Sequence, residues 1–180
     1  TLDGTLFPYT TLFRSRAAPA QNGLWAAYYA PTNASVPLAE RLETAVADNW
    51  TNAVAGLGAT NFRVVYNGAV TPTESGLYVF GSEADDTMQV TLNATAVLED
   101  IYADTNGMVS ISRPFWLEAG RTYGLRADYA QATDDRRASL KWARQGDSAF
   151  EPVPVSTLTP FPLPWTHADL GVTDIGGYAE

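Results

Sequence analysis

The chain has 180 residues, of which 46% are hydrophobic and 12% aromatic, a composition that predicts a folded domain rather than a disordered chain. Its formal net charge of -9 at pH 7 argues against sequence-independent binding to nucleic acid or to an anionic membrane, because both need basic patches. The absence of cysteine excludes a disulfide framework and a thiolate metal site. No apolar run has the length of a membrane span, so membrane insertion is not expected.

The first 22 residues are predicted to be a non-native or linker segment. Residues 1–15 resemble translated sequencing-adapter read-through and are expected to be foreign to the fold. Residues 16–22 contain an Ala-Ala-Pro-Ala stretch that is typical of a linker.

The pattern becomes that of a β protein from Gly23 onward. Leu24–Tyr29 is apolar and aromatic and predicts the first strand. Within the irregular stretch that follows, Ala39–Val46 is interpreted as a short helical turn. Asn61–Tyr66 predicts the next strand, which is expected to end at the turn signal Asn67-Gly68.

Short strands with alternating side chains continue along the rest of the domain. Leu77–Phe80 is apolar on both faces, as expected of a central strand. Later strands place one set of side chains on one face: Met88, Val90 and Leu92; Val109 and Ile111, opposite Ser110 and Ser112; Tyr123, Leu125, Ala127 and Tyr129; Ala138, Leu140 and Trp142. Strands of this length joined by glycine and aspartate turns predict an all-β sandwich or barrel.

Asp85 and Asp86 are adjacent carboxylates between two predicted strands. Charge concentrated at such a turn has to be solvated, paired or bound to a metal ion. Carboxylate oxygens suit calcium, which takes about six to eight oxygen ligands. The alternative is a solvated turn whose side chains cap backbone N–H groups. A second pair, Asp134-Asp135, precedes two arginines and is interpreted as a hairpin turn without a function.

Several elements occur in the order typical of the PA14 domain, a family named for the N-terminal module of a bacterial toxin's protective antigen. They are Gly23-Leu-Trp-Ala-Ala-Tyr-Tyr29, Phe62-Arg63, Asn67-Gly68, Pro72, Ser75-Gly-Leu-Tyr-Val-Phe80, Asp85-Asp86, Leu117-Glu-Ala-Gly-Arg-Thr-Tyr123, Tyr129, Leu140-Lys-Trp142 and Val153–Leu158. Residues 23–159 therefore resemble a PA14 domain. The resemblance implies an antiparallel β-sandwich of the PA14 type, found in adhesins, glycosidases, glycosyl-binding proteins and toxins.

The resemblance also implies a calcium site. In PA14 lectins an Asp-Asp pair joined by a cis peptide bond holds calcium, and the calcium binds vicinal hydroxyls of a sugar. Asp85 and Asp86 match that pair by position. A loop late in the chain supplies the remaining oxygens in those lectins, and here it would contribute Gln145, Gly146 and Asp147. The yeast lectins use an asparagine there, which the corresponding loop of this chain lacks.

Aromatic side chains could stack on sugar rings, although aromatic residues of a sandwich mostly fill the core. Trp142 is in phase with Leu140 and is predicted to be buried. Trp116 is predicted to lie nearer an edge of the sheet. It is therefore a candidate for carbohydrate binding, together with Asp85 and Asp86.

No catalytic site is predicted. The single histidine, His167, follows the predicted domain, so a Ser–His or Cys–His pair cannot be assembled within it. Asp85 and Asp86 are too close to flank a glycosidic bond, where two carboxyl groups stand roughly 5–9.5 Å apart.

Residues 160–180 are predicted to be a linker and the start of another domain. Pro160–Pro164 is proline-rich and semi-rigid, and Trp165–Gly177 resembles the first strand of a concanavalin-like domain. The chain is thus expected to belong to a larger modular extracellular protein, with neighbouring domains as partners. The leading hypothesis is a calcium-dependent carbohydrate-binding module. The alternatives are a non-binding spacer and an accessory domain of a glycoside hydrolase.

Overall fold

The computed structural model describes residues 21–31, 35–47, 54–100, 110–133 and 136–161. In these ranges the chain forms β-strands and one short 3-10 helix, Val155–Thr157. The strands are β1 Leu24–Tyr29, β2 Ala39–Glu43, β3 Phe62–Val70, β4 Gly76–Asp85, β5 Thr87–Leu92, β6 Thr95–Asp100, β7 Ser110–Ile111, β8 Phe115–Leu117, β9 Tyr123–Gln131, β10 Arg137–Arg144, β11 Glu151–Pro152 and β12 Leu158–Pro160.

The strands build two antiparallel sheets. The large sheet has the order β2-β1-β3-β9-β5-β6, and β12 pairs with β3 beyond the end of β1. The small sheet has the order β11-β10-β4-β7, and β8 also pairs with β4. Side chains from both sheets contribute to one hydrophobic core. The prediction of an all-β antiparallel sandwich is therefore confirmed.

Alternation along β9 shows how the sequence selects the two faces of the large sheet. Tyr123, Leu125, Ala127 and Tyr129 are buried, whereas the residues between them are only partly covered. The large aromatic side chains dominate the core because each removes more apolar surface from water than a small one. Trp142, which was predicted to be buried, is partly buried and packs against this core, with its ring centroid 4.8 Å from that of Tyr78.

Two local predictions are wrong because pairing with other strands overrides the local signal. Asn67-Gly68 is not a turn, since β3 continues through both residues to Val70. A glycine is needed there because a Cβ at Gly68 would lie 2.5 Å from the carbonyl oxygen of Thr159. Ala39–Val46 is not helical, since Ala39–Glu43 pairs with β1 as an edge strand.

The predicted alternation around Ile111 is also reversed. Ile111 is 60% exposed, whereas Ser112 is buried. The burial of a serine is compatible with its hydrogen bonds, because Ser112 Oγ accepts from the N–H of Phe80 at 2.9 Å and donates to the carbonyl oxygen of Arg113 at 2.8 Å.

Several predictions fall outside the described residues. They concern residues 1–20, the pair Asp134-Asp135, His167 and the segment that resembles a concanavalin-like domain. Within the described ranges, the structure contains no helix with the length and hydropathy that a membrane span would need.

Candidate functional site

Asp85 and Asp86 lie where β4 turns into β5. Asp85 is the last residue of β4 and pairs with Arg137 at the beginning of β10. The peptide bond between Asp85 and Asp86 is cis, as the family resemblance implied. Asp85 is 6% exposed, and Asp86 is half-buried. The pair thus stands at one end of the sandwich, where the interior strand β4 of the small sheet ends.

Asp86 is fixed by the loop that connects β9 to β10. Its Oδ2 accepts hydrogen bonds from the backbone N–H of Ala132 and from that of Thr133, the latter at 3.1 Å. The two bonds join the β4–β5 turn to the β9–β10 loop, although the two segments are far apart in sequence.

A buried tyrosine, Tyr129, contacts the same junction from the core side. The hydroxyl group of Tyr129 donates to the carbonyl oxygen of Asp85 and lies equally close to Oε1 of Gln131. Nε2 of Gln131 in turn donates to the carbonyl oxygen of Thr133 at 2.6 Å. Burial raises the pKa of Tyr129, and the negative charges of Asp85 and Asp86 raise it further. The phenol therefore remains a protonated donor.

The ligand atoms at this end of the sandwich are oxygens, the type of atom that a hard cation binds. Two carboxylates and nearby backbone carbonyls are the oxygen ligands that calcium prefers. The described part of the chain contains no group of three or more His, Cys, Asp or Glu side chains placed to hold a metal ion. An ion at Asp85 and Asp86 would therefore need further oxygens from backbone, water or ligand.

Gln145, Gly146 and Asp147 lie at the other end of the small sheet. The N–H of Gln145 donates to the carbonyl oxygen of Leu77 at 2.8 Å, and Oδ2 of Asp147 accepts from the N–H of Arg144 at 2.6 Å. Leu77 precedes Asp85 by eight residues of β4, or roughly 26 Å at about 3.3 Å per residue. The structure does not bring these three residues to Asp85 and Asp86, which corrects the predicted ligand set.

The error arises from strand direction. Strand β10 is antiparallel to β4 and starts opposite Asp85, so its first residues lie near the acidic pair and its last residues lie far away. The loop that precedes β10, and not the loop that follows Trp142, therefore meets Asp86. Counting strands along the sequence as alternating in direction would not have revealed this, because the successive strands β7 and β8 both run antiparallel to β4.

Trp116 is also remote from the acidic pair. It lies on β8 opposite Leu77 and is 60% exposed. Its exposure agrees with the predicted edge position. The distance along β4 separates it from Asp85 and Asp86, so the predicted carbohydrate-binding residues do not form one continuous site.

Comparisons with known proteins identify a family for this chain. A family model described as the PA14 domain matches residues 20–156. A comparison with curated proteins found no match. Among solved structures, an anti-sigma factor domain-containing protein is 23% identical, with a TM-score of 0.67, over 78% of this chain and 48% of that chain.

Two further solved structures have names that mention sugars. The epithelial adhesin 6 A domain from Candida glabrata, solved in complex with Galβ1-3GlcNAc, is 16% identical, with a TM-score of 0.62, over 78% of this chain and 88% of that one. The PA14 sugar-binding domain from an RTX adhesin is 17% identical, with a TM-score of 0.59, over 79% of this chain and 100% of that one. At these identities the likeness shows the fold.

The family match does not extend over the whole chain. The chain spans about half the length of the anti-sigma factor domain-containing protein. The matched range of 20–156 covers most of the predicted domain at 23–159. The predicted concanavalin-like segment lies beyond it and has no support from these comparisons.

Proposed function

The chain belongs to the PA14 domain family, and we propose that it is a carbohydrate-binding module. The observation that carries the proposal is the pair of adjacent carboxylates, Asp85 and Asp86, at one end of the sandwich. Asp86 is held by two backbone N–H groups of the β9–β10 loop. The sugar complex of the Candida glabrata adhesin domain and the sugar-binding RTX adhesin domain, both of this fold, support it.

We further propose that Asp85 and Asp86 hold a calcium ion. A bound calcium would supply coordination positions for sugar hydroxyls, which are hard oxygen ligands like those of the protein. The part that the chain's own residues play is to hold the backbone of Asp85 and the carboxylate of Asp86. Tyr129 holds the carbonyl group of Asp85, while Ala132 and Thr133 hold the side chain of Asp86.

The proposed setting is extracellular. Extracellular calcium modules bind with dissociation constants of about 0.1–1 mM, and a site with two carboxylates suits that range. Neighbouring domains of a larger protein are the proposed partners besides carbohydrate. No catalysis by this domain is proposed.

The first test is thermal unfolding with calcium and with chelator. An ion that binds only the folded state stabilises it by RT ln(1 + [L]/Kd), about 2.7 kcal/mol at a hundredfold excess over Kd. Magnesium should stabilise much less, because it requires tight octahedral geometry. The double substitution Asp85→Asn with Asp86→Asn should abolish the calcium shift and leave the apo fold intact.

The matched control is Asp147→Asn, which removes one carboxylate at the opposite end of the small sheet. It should leave the calcium shift unchanged. The variant Asp134→Asn with Asp135→Asn measures separately whether the acidic residues that follow Thr133 in the sequence contribute. If calcium does not move the transition of the wild-type protein, the calcium proposal is wrong.

A glycan array with and without chelator tests the sugar. Binding that chelator removes supports the lectin function, and Trp116→Ala should not change it because Trp116 lies at the far end of β4. A calcium shift without any glycan binding would favour the spacer function instead.

A further inference from the structure

The outer face of the large sheet contains a cavity that does not involve the acidic pair. Asn67 on β3, Arg126 on β9 and Thr91 on β5 are directly opposite one another in the strand register. Residues opposite one another on adjacent strands share a face. Arg126 lies between the buried residues Leu125 and Ala127, so this face points away from the core. The cavity has a volume of ≈ 380 Å³.

Two of the residues that line this cavity, Asn67 and Arg126, carry nitrogen donors. Nδ2 of Asn67 is buried and has no hydrogen-bond partner within the part of the chain that the structure describes. Buried amide groups are normally paired, so such an atom calls for an acceptor. Arg126 donates from one terminal nitrogen to Oδ2 of Asp128 at 2.9 Å. This bond uses one of the five N–H groups of a guanidinium.

This face carries two guanidinium groups, Arg63 and Arg126, which converge on the carboxylate of Asp128. Asp128 accepts two bonds from Arg63, one of them from Nε at 2.5 Å, and a third from Arg126. Burial alone would raise the pKa of Asp128, but the hydrogen bonds from both arginines outweigh it and the pKa lies below its usual value. Two guanidinium groups thus surround one ionised carboxylate. The next carboxylate on this face, Glu99 on β6, accepts from Gln89 at 2.9 Å.

The remaining walls are apolar. Phe161, which is 44% exposed, and Ala94 line the cavity beside Arg126. An aromatic ring offers a flat surface to the C–H face of a sugar ring. The volume lies in the usual range for a small-ligand site.

We propose that this cavity binds a saccharide ring that bears a carboxylate, a hexuronic acid, without calcium. The ligand carboxylate accepts from the guanidinium of Arg126 and from the amide of Asn67, and the ring packs against Phe161. A neutral hexose offers no anion to Arg126 and binds more weakly. The site extends beyond the function proposed above, because it lies on another surface and uses neither Asp85 nor Asp86.

The test is a titration of the isotopically labelled full chain, followed by amide NMR shifts in the presence of chelator. The probes are methyl β-glucuronide and methyl β-glucoside, which differ only in the carboxylate. Signals of Asn67, Gly68 and Arg126 should shift, while those of Asp85 and Asp86 should not. The glucuronide should bind roughly tenfold more tightly, as expected for charge-assisted hydrogen bonds, and added salt should reduce the difference.

Two variants and one control locate the binding. Arg126→Gln keeps a similar size without the charge and should remove the preference for the glucuronide. Asn67→Asp replaces the donor amide with a carboxylate and should weaken glucuronide binding through repulsion. Arg121→Gln removes an exposed arginine that pairs with Glu118 at the turn before β9 and should have no effect. The spectrum of each variant verifies its fold.

Several results would overturn the proposal. They are equal affinity for both glycosides, no shift with either one, shifts confined to Asp85 and Asp86, or unchanged preference in Arg126→Gln. The double variant Asp85→Asn with Asp86→Asn should bind the glucuronide like the wild-type protein. A failure of the calcium proposal is therefore distinguishable from a failure of this one.

Discussion

The substitution Tyr129→Phe tests how the acidic pair is supported. The hydroxyl group of Tyr129 is fully buried and holds the carbonyl oxygen of Asp85, next to Oε1 of Gln131. Phenylalanine keeps the ring and its packing and removes only this hydroxyl. The variant therefore isolates the polar contacts from the hydrophobic core.

The expected cost follows from burial. Removing one partner of a buried hydrogen bond costs about 1–3 kcal/mol, because the group left behind loses its partner without gaining water. The carbonyl oxygen of Asp85 and Oε1 of Gln131 share this single O–H donor, so we expect a loss of about 2 kcal/mol. For a domain of this size the loss corresponds to a fall of about 6 °C in the melting temperature. The calcium shift proposed above should also become smaller, since the carbonyl group of Asp85 is no longer held.

The assay is thermal and urea unfolding followed by tryptophan fluorescence, with calcium and with chelator. The control is Tyr123→Phe, which removes a hydroxyl that accepts from the N–H of Glu118 at 2.9 Å at the beginning of β9. This contact is only partly buried, so the control should lose about 1 kcal/mol and retain the full calcium shift. If Tyr129→Phe costs less than about 0.5 kcal/mol, the range of ordinary surface substitutions, the network does not support the site.

Two further predictions concern the large sheet. Gly68→Ala should lower the free energy of unfolding in urea by about 3 kcal/mol, because overpacking against the backbone of β12 displaces that strand. The control Gly124→Ala should cost little, because its Cβ would meet only Oδ1 of Asn93 at 3.5 Å. Equal costs would contradict the packing of β12 on β3. The pKa of Asp128 is lowered in the folded protein, so its stabilising contribution is present above the unfolded pKa of about 3.9 and is lost as pH falls through the folded value. The acid limb of a stability profile between about pH 5 and pH 2 should consequently be flatter in Asp128→Asn than in the wild-type protein, and an unchanged limb would show that the ion pairs with Arg63 and Arg126 do not contribute.

Much of the fold could be predicted because successive side chains of a β-strand point to opposite faces of the sheet, so buried and exposed residues alternate in the sequence. The nine residues of β9 alternate between buried and partly covered along their whole length, and the sequence pattern was sufficient to see it. Asn67-Gly68 could not be assigned correctly from local signals. Its conformation depends on β12, which begins at Leu158 and closes over Gly68.

The acidic pair could be found from the sequence, but its surroundings could not. Asp85 and Asp86 are adjacent in the chain, and two neighbouring carboxylates are conspicuous in any sequence. Their contacts come from Tyr129, Ala132 and Thr133, and none of these residue types signals a binding site by itself. Only the antiparallel order of the strands determines which loop reaches the pair.

Strand β9 contributes a residue to each of the two proposed sites, on opposite faces of the sheet. Its inward side chain Tyr129 supports the acidic pair at the end of the sandwich, whereas its outward side chain Arg126 lines the cavity on the open face. Side chains on opposite faces of a strand have different neighbours, so a substitution of one need not disturb the other. A polymer with neutral and acidic sugars could use both surfaces, since Arg126 and Tyr129 are three residues apart on β9, or roughly 10 Å along the strand. Two weak sites at such a spacing increase the overall affinity through effective concentration, without requiring either site to bind tightly.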